Sequence, residues 1–196
     1  WEGGVRVPSI IEWPAVIKKP ELSNVPCGTI DIYPTVLAIT GAKVSHQPHL
    51  DGVSLLPLIE GQMTAREKPM GFWTYPAKGH PKRSTDILLA LQKQQKPGQP
   101  NPAGPAPDAD AASLETQYSK DELPGAAALV DGNFKLLKME TRQGKPKFTL
   151  YDLAKDPGEK QDLSQVDPQR LKKMKAALTE WQHSVVDSLN GKDYAD

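Results

Sequence analysis

Three side chains able to carry positive charge, His80, Lys82 and Arg83, follow an apolar run that ends at Tyr75. Loops that leave the edge of a sheet often line substrate pockets, and imidazole, ammonium and guanidinium groups suit an anionic substrate. The alternative is a solvated charge cluster, which is the ordinary fate of such residues. These three residues form the candidate substrate-binding group of the sequence, and its ligand would be an anion.

Two other kinds of reactive side chain are present. Cys27 lies in Pro-Cys-Gly-Thr without the histidine partner that a catalytic cysteine needs, so we expect a small, inert, partly buried thiol. His46 and His49 are three residues apart, with Asp51 close by. No second cluster of ligands at metal spacing completes a site with them, which favours a surface loop.

Acidic residues are concentrated after a predicted strand, at Asp152, Asp156, Glu159 and Asp162. Their spacing does not match a calcium-binding EF-hand loop. Asp-Pro-Gly is turn chemistry, so we expect these acids to shape the corner between a strand and a helix. Phosphate-binding glycine loops, HExxH, GxSxG and nucleic-acid motifs are absent from the sequence, and local chemistry alone gives no complete active site.

Composition narrows the class of protein. The 196 residues carry 24 basic and 24 acidic side chains, so no overall field favours nucleic acid. A single cysteine excludes an internal disulfide, and 19 prolines indicate many loops. No apolar stretch has the length needed to span a bilayer.

The first third of the sequence predicts one strand and two helices. Residues 7–13 form an apolar run, ended by Pro14, that predicts a buried strand. An Arg6–Glu2 ion pair would hold the glycine turn before it. Thr29 is the expected N-cap of a helix ending at Gly41, with Asp31 favoured in its first turn by the helix dipole. Residues 54–60 predict a short apolar turn or helix.

The remainder predicts an antiparallel sheet covered by a long helix. The expected strands are residues 70–75, 126–130, 134–139 and 148–151, and Asp131-Gly132-Asn133 predicts a hairpin turn. A helix is expected over residues 85–95 and a flexible proline-rich loop over residues 96–112. Asp167 and Pro168 begin the last helix. Its expected core-facing residues recur every three or four positions: Leu171, Met174, Leu178, Trp181, Val185 and Leu189.

Six colinear blocks resemble type I (formylglycine-dependent) sulfatases of the alkaline-phosphatase-like superfamily. They begin with Trp1-Glu-Gly-Gly-Val-Arg-Val-Pro and Thr29-Ile-Asp-Ile-Tyr-Pro. They continue through Leu50-Asp-Gly-Val-Ser-Leu, Gly71-Phe-Trp-Thr-Tyr and Ala128-Leu-Val-Asp-Gly-Asn-Phe-Lys, and finish with Tyr151-Asp-Leu-Ala-Lys-Asp-Pro-Gly-Glu and Asp162-Leu. Nearly the whole chain is covered, apart from the proline-rich region.

The resemblance implies the C-terminal portion of an α/β sulfatase. Residues 1–63 would be the C-terminal end of the main domain, and residues 64–196 a subdomain of antiparallel sheet and helix. The formylglycine, made from a C/S-x-P-x-R motif, and the calcium ion would belong to sequence preceding Trp1. Cys27 does not fit that motif. The resemblance therefore places no catalytic residue and no metal ligand on this chain.

The resemblance also implies partners. A sulfated carbohydrate or an aryl sulfate would be the substrate of the intact enzyme, and this chain would contact the N-terminal catalytic part. Loops of the subdomain would help to select the substrate. This favours the interpretation that His80 and its neighbours contact the substrate in the intact enzyme. Similar sequences often have Pro-Gly-His-Ala-Ala where this chain has Ala126 in place of histidine. Relatives are commonly exported or lysosomal. The alternatives are a non-catalytic binding module of the same fold and a phosphatase-like relative.

Overall fold

A four-stranded antiparallel sheet forms the centre of the protein. The computed structural model describes residues 6–74, 119–141 and 145–194. Within these ranges the strands are Met70–Trp73 (β1), Ala127–Asp131 (β2), Phe134–Glu140 (β3) and Pro146–Asp152 (β4). They lie side by side in chain order, and every adjacent pair is antiparallel. The predicted antiparallel sheet is confirmed.

The hairpin between β2 and β3 forms at the predicted turn. Asp131 is paired with Phe134, which leaves Gly132 and Asn133 as the connecting residues. Gly132 has φ of 57°, in the left-handed region that glycine adopts without steric cost. A local backbone preference therefore sets the register of the whole β2–β3 pair.

The long helix α3, Pro168–Leu189, covers one face of the sheet. The Asp167 carboxylate accepts a hydrogen bond of 3.0 Å from the backbone N–H of Arg170, and Pro168 occupies the first turn, as predicted. Met174 and Leu178 pack against Leu129, Leu136 and Leu150 of the sheet, and all five side chains are buried. Burial of each of these side chains contributes roughly 1.5–3 kcal/mol to the stability of the fold.

The buried row of α3 differs in part from the predicted one. Met174 and Leu178 are buried as expected, whereas Gln182 and Val186 are more deeply buried than Trp181 and Val185. The most deeply buried residues of α3 thus recur at every fourth position. A polar side chain, Gln182, occupies one of these positions, and apolar periodicity alone could not identify it.

The first half of the described chain contains two shorter helices. A 3-10 turn, Thr29–Asp31, leads into α1, Ile32–Thr40, which ends at Gly41 with φ of 66°. The N-terminal cap is Gly28, so the prediction of Thr29 is wrong by one residue. The reason is that the Asp31 side chain closes the turn by accepting the Gly28 N–H at 2.8 Å. Leu56–Ile59 forms α2, followed by Gly61, as predicted.

Residues 7–13 do not form the predicted strand. They are irregular and largely exposed, and Ile10 retains 94% of its accessibility. A strand requires a neighbouring strand for its backbone hydrogen bonds, and none of the four described strands pairs with this segment. Its apolar sequence therefore lacks a surface to pack against within the described ranges.

Several predictions fall on residues outside those described. They concern Glu2 as the partner of Arg6, the end of the first sheet strand at Tyr75, the helix over residues 85–95 and the loop over residues 96–112. The division at residue 63 also stays a prediction. Among the helices that the structure describes, none has the length and apolar composition needed to cross a membrane.

Candidate functional site

A buried carboxylate joins α1 to the segments that precede β1. Asp31 is completely inaccessible to solvent, and its Oδ1 and Oδ2 accept hydrogen bonds from both terminal nitrogens of Arg66, at 2.8 and 2.7 Å. The backbone N–H groups of Gly28 and Val53 donate to the same carboxylate, each at 2.8 Å. Four hydrogen-bond donors, two of them from one bidentate guanidinium, replace the water that the carboxylate loses on burial.

The electrostatics of this junction favour the ionised acid. Burial alone would raise the pKa of Asp31, but hydrogen bonds from Arg66, Val53 and Gly28 outweigh it and lower the pKa below its ordinary value. The carboxylate is therefore charged at neutral pH and fully engaged in fixing the backbone. Such a group holds structure together and is not placed to act as a general acid or base.

Two further contacts pin α1 at the junction. The Thr35 hydroxyl donates to the carbonyl of Asp31 at 2.5 Å and accepts the N–H of Leu55 at 2.8 Å. Gly52 approaches so closely that an added Cβ would lie 2.0 Å from the carbonyl oxygen of Ile30. The helix is thus held on its Thr35 side by polar contacts and close backbone packing.

The outward side of α1 is apolar and exposed. Ile32, Tyr33, Val36 and Ile39, here called the α1 apolar face, retain between 42 and 59% of their accessibility. Their spacing places them on one side of a helix. A helix on a protein surface normally turns its apolar side inward, whereas polar contacts hold this helix with its apolar side turned outward. The arrangement is typical of a surface that contacts another protein surface.

The sheet end that leads towards residue 80 is also tightly held. The Trp73 indole N–H donates to the carbonyl of Pro124 at 2.7 Å, and the Thr74 N–H donates to the carbonyl of Ala126 at 2.8 Å. Lys138 donates to the carbonyl of Leu123, and burial lowers the pKa of its ammonium group, opposed by the nearby charge of Glu140. The strand end is therefore a rigid base for the chain that follows Thr74.

A second buried ion pair lies on the sheet face that points away from α3. Lys135 of β3 and Glu159 of the loop after β4 are 2.6 Å apart, and each side chain is only 3% exposed. Glu159 has φ of 52°, a left-handed conformation that costs a residue with a Cβ roughly 1 kcal/mol or more. The pair ties the β4 loop to the middle of the sheet.

A cavity of about 400 Å³ lies between the loop at residue 49 and the C-terminal end of α3. His49, Asp51, Ser184, Asp187 and Lys192 contribute polar groups to its wall. Hydrogen bonds from Lys120 and Lys192 lower the pKa of Asp187. No three His, Cys, Asp or Glu side chains in the described part of the chain converge on a possible metal position. No calcium site can therefore be assigned to these residues.

The predicted site residues have different outcomes. His80, Lys82 and Arg83 lie outside the described residues, so their role in anion binding stays a prediction. Cys27 is exposed, with its Sγ 3.8 Å from the Ser9 hydroxyl, and the expectation of a partly buried thiol is wrong because the residue lies in an irregular, mostly exposed segment.

The acids after β4 act as predicted. Asp156 accepts the backbone N–H groups of Lys160 and Gln161, and Asp162 accepts those of Leu150 and Ser164. These bonds hold the chain between β4 and α3. Sequence reasoning missed the Asp31–Arg66 junction because the two residues are 35 positions apart, and Asp31 was interpreted only as an acid in the first turn of its helix.

Comparison with known proteins identifies sulfatase relatives over part of the chain. The human steryl-sulfatase is 36% identical over 46% of this chain, and the dog arylsulfatase H is 36% identical over 46%. An uncharacterised sulfatase of Schizosaccharomyces pombe is 27% identical over 88%. These alignments cover only 16, 17 and 24% of the relatives' own lengths. No family model matches the chain.

Solved structures give partial overlaps. A protein in complex with its substrate D-glucosamine-2-N,6-O-disulfate aligns over 85% of this chain, with a TM-score of 0.45 and 16% identity. A phosphonate monoester hydrolase of Agrobacterium radiobacter aligns over 78%, with a TM-score of 0.40 and 24% identity. The aligned regions make up 25 and 24% of those two solved chains. Over part of its length, this chain therefore has homologues among sulfatases of the alkaline-phosphatase-like superfamily.

Proposed function

We propose that this chain is the C-terminal portion of a sulfuric ester hydrolase, to which it contributes structure and substrate-selecting loops but no catalytic residue. The sequence contains no C/S-x-P-x-R motif from which a formylglycine could be made. The curated relatives are four or more times longer than the regions that match. Formylglycine and calcium would accordingly belong to the catalytic portion.

The observation that carries this proposal is the α1 apolar face. Because Asp31 and Thr35 fix the orientation of α1, the helix cannot rotate to bury these exposed apolar side chains. Covering them needs a surface from elsewhere, and the catalytic portion of a sulfatase supplies one in this proposal. Removal of apolar area from water would drive the contact at about 25 cal/mol per Å².

The substrate-selecting role rests on the rigid sheet end. Trp73, Thr74 and Lys138 fix the strand from which residues 75–118 depart. His80, Lys82 and Arg83 belong to that stretch, and cations there would meet the anionic ester of a sulfated carbohydrate or an aryl sulfate. Ala126 accepts the Thr74 N–H through its carbonyl, so the histidine common in similar sequences would project at this strand end.

Turnover of a chromogenic aryl sulfate in the presence of calcium tests the proposal. The chain alone should show no hydrolysis, and the chain joined to the reading frame upstream of Trp1 should be active and should contain C/S-x-P-x-R. Hydrolysis by the chain alone would overturn the proposal. An upstream sequence without the motif would favour a non-catalytic module, and one with a Thr or Ser nucleophile and zinc ligands a phosphatase-like enzyme.

A matched pair of variants in the joined protein tests the contact. Val36→Lys places a charge on the α1 apolar face and should abolish activity or expression of the joined protein. Val166→Lys places the same charge at a residue that is 73% exposed outside that face, and it should have no effect. Equal effects of the two variants would argue against the contact.

A further inference from the structure

The N-terminal half of α3 carries an excess of positive charge, although Arg170 forms an ion pair with Asp167 at the start of the helix. Arg170, Lys172, Lys173 and Lys175 fall within six residues that contain no acid, and all four are exposed. Lys172 and Lys173 have no ion pair within the part of the chain that the structure describes, and the Lys175 ammonium contacts the ring of Phe148. The protein as a whole has no net charge, so this concentration is local.

The charge stands where it opposes helix formation. The first turns of a helix favour acids, because the backbone dipole is positive there, and α3 has no acid between its N-cap, Asp167, and Glu180. Arg170 and Lys173, and likewise Lys172 and Lys175, are like charges three residues apart, a spacing at which they repel. The unfavourable interaction with the dipole and the repulsion between like charges both occur in a helix that packing on the sheet already stabilises.

The outer side of this helix half presents charge on a smooth surface. Four exposed residues at i, i+3, i+4 and i+7 share that side: Gln169, Lys172, Lys173 and Ala176. We call them the α3 outer stripe. The core-facing residues Met174 and Leu178 lie on the other side of the helix. The stripe combines two ammonium groups and one amide, which both donates and accepts hydrogen bonds, with a methyl group small enough to let a ligand lie against the helix.

Two more cations flank the stripe in fixed positions. The Arg170 guanidinium lies 3.7 Å from the centre of the Phe134 ring and bonds the Asp167 carboxylate at 2.9 Å. The Lys175 ammonium lies 4.3 Å from the centre of the Phe148 ring. Contacts with aromatic rings restrict both cations before any ligand arrives. The basic region therefore spans about 8 Å of helix, at 1.5 Å per residue from Arg170 to Lys175.

We propose that the α3 outer stripe, with Arg170 and Lys175, binds a sulfated carbohydrate chain. Ammonium and guanidinium groups would contact sulfate groups, and the Gln169 amide would bond sugar hydroxyls. An extended polyanion fits the convex outer side of a helix better than a small anion does, because it can contact several separated cations at once. The choice of a sulfated carbohydrate over another polyanion rests on the proposed sulfatase function. Binding here holds a polymer and involves no reaction.

Heparin binding to the purified chain, measured by fluorescence anisotropy of labelled heparin against salt concentration, tests this proposal. Lys172→Gln/Lys173→Gln should weaken binding about tenfold at low salt and should reduce its salt dependence, because fewer counterions are released. Glutamine has a helix propensity close to that of lysine, so α3 should keep its helicity by circular dichroism. Lys19→Gln/Lys43→Gln removes the same charge at exposed sites elsewhere and should leave affinity unchanged.

The outcomes separate the possibilities. Equal loss of affinity in both double variants, or no loss in either, would overturn the proposal. Single-stranded DNA that competes as well as heparin at equal charge would overturn the preference for sulfated carbohydrate, and desulfated heparin should compete poorly. An upstream sequence without the formylglycine motif would end the proposed function and leave the heparin result standing, so the two failures are distinguishable.

Discussion

Arg66 and Asp31 face each other through two parallel hydrogen bonds of 2.7 and 2.8 Å, and both side chains are buried. The pair connects the entry of α1 to the segment before β1, across 35 residues of sequence. The Arg66 guanidinium neutralises the acid, and the backbone of Gly28 and Val53 supplies further donors. The pair is thus the buried ionic contact among those that place α1 and its apolar face.

Arg66→Met should lower the free energy of unfolding by about 3–5 kcal/mol, because it leaves the Asp31 carboxylate buried without its counter-ion. Urea unfolding measures the loss. Arg170→Met, which removes an exposed partner of Asp167, should cost less than about 1 kcal/mol. Asp31→Leu/Arg66→Met should be more stable than Arg66→Met alone. A stability of Arg66→Met equal to that of the parent would contradict this account.

Acid should destabilise the protein below about pH 4. The pKa of Asp31 is lowered in the folded state, and so is that of Asp162, where burial would raise it and the N–H groups of Leu150 and Ser164 outweigh burial. The unfolded chain, with ordinary pKa values near 3.9, then takes up protons first as pH falls, and unfolding is favoured. Above about pH 4, Asp31 and Asp162 are ionised in both states and contribute their full stabilisation to the folded protein.

Thermal melts between pH 2.5 and 7 check this prediction. Asp31→Asn should show a shallower fall in melting temperature on the acid side, because one of the shifted groups is gone. Glu60→Gln changes an exposed carboxyl at the end of α2 and serves as the control. An acid limb that is unchanged in both Asp31→Asn and Asp162→Asn would show that other groups control acid unfolding.

Gly71→Ala should destabilise the protein by roughly 1–3 kcal/mol or more. An added Cβ would lie 2.3 Å from the ring of Trp181, so either α3 or β1 must shift. Gly158→Ala is the matched control, since its Cβ would meet nothing nearer than the flexible end of Lys160, at 3.3 Å. Urea unfolding compares them. If Trp181→Leu fails to recover part of the loss caused by Gly71→Ala, the clash is not its origin.

Substitution of the α1 apolar face should change association and leave folding intact. Val36→Gln/Ile39→Gln removes two exposed apolar side chains, so the free energy of unfolding should change by less than about 0.5 kcal/mol for each. Light scattering at high protein concentration and binding of a hydrophobic dye should both fall. Leu136→Ala, in the core, should instead cost about 2–5 kcal/mol. A large loss of stability in the surface variant would show that the face is packed.

Features set by neighbouring residues could be predicted from the sequence. Asp167 with Pro168 predicted the start of α3, and Gly132 predicted the β2–β3 turn, because capping and left-handed backbone are local preferences. The strand over residues 7–13 could not be judged in this way, because a strand exists only when another one bonds to it. The same applies to Asp31, whose partner is distant in sequence.

In the candidate site, too, local features could be predicted from the sequence and features that depend on distant residues could not. The acids after β4 were recognised as turn formers from Asp-Pro-Gly, and the structure confirms their bonds to nearby backbone. The exposure of the α1 apolar face could not be predicted, because its residues have the pattern of a buried helix face. Sequence periodicity identifies an apolar side, but tertiary contacts decide whether that side meets the core.

The approach of Trp181 to Gly71 also gives the protein an internal optical probe. The Trp181 ring lies 6.4 Å from that of Trp73, with 59° between the ring planes. Two indoles so close together couple their electronic transitions, and their combined ultraviolet dichroism depends on this separation and angle. Trp73 lies on the strand that leads to the proposed substrate-selecting residues, and Trp181 belongs to the helix that carries the α3 outer stripe. A ligand that changes the separation or angle of these two rings can therefore be detected by spectroscopy without a label.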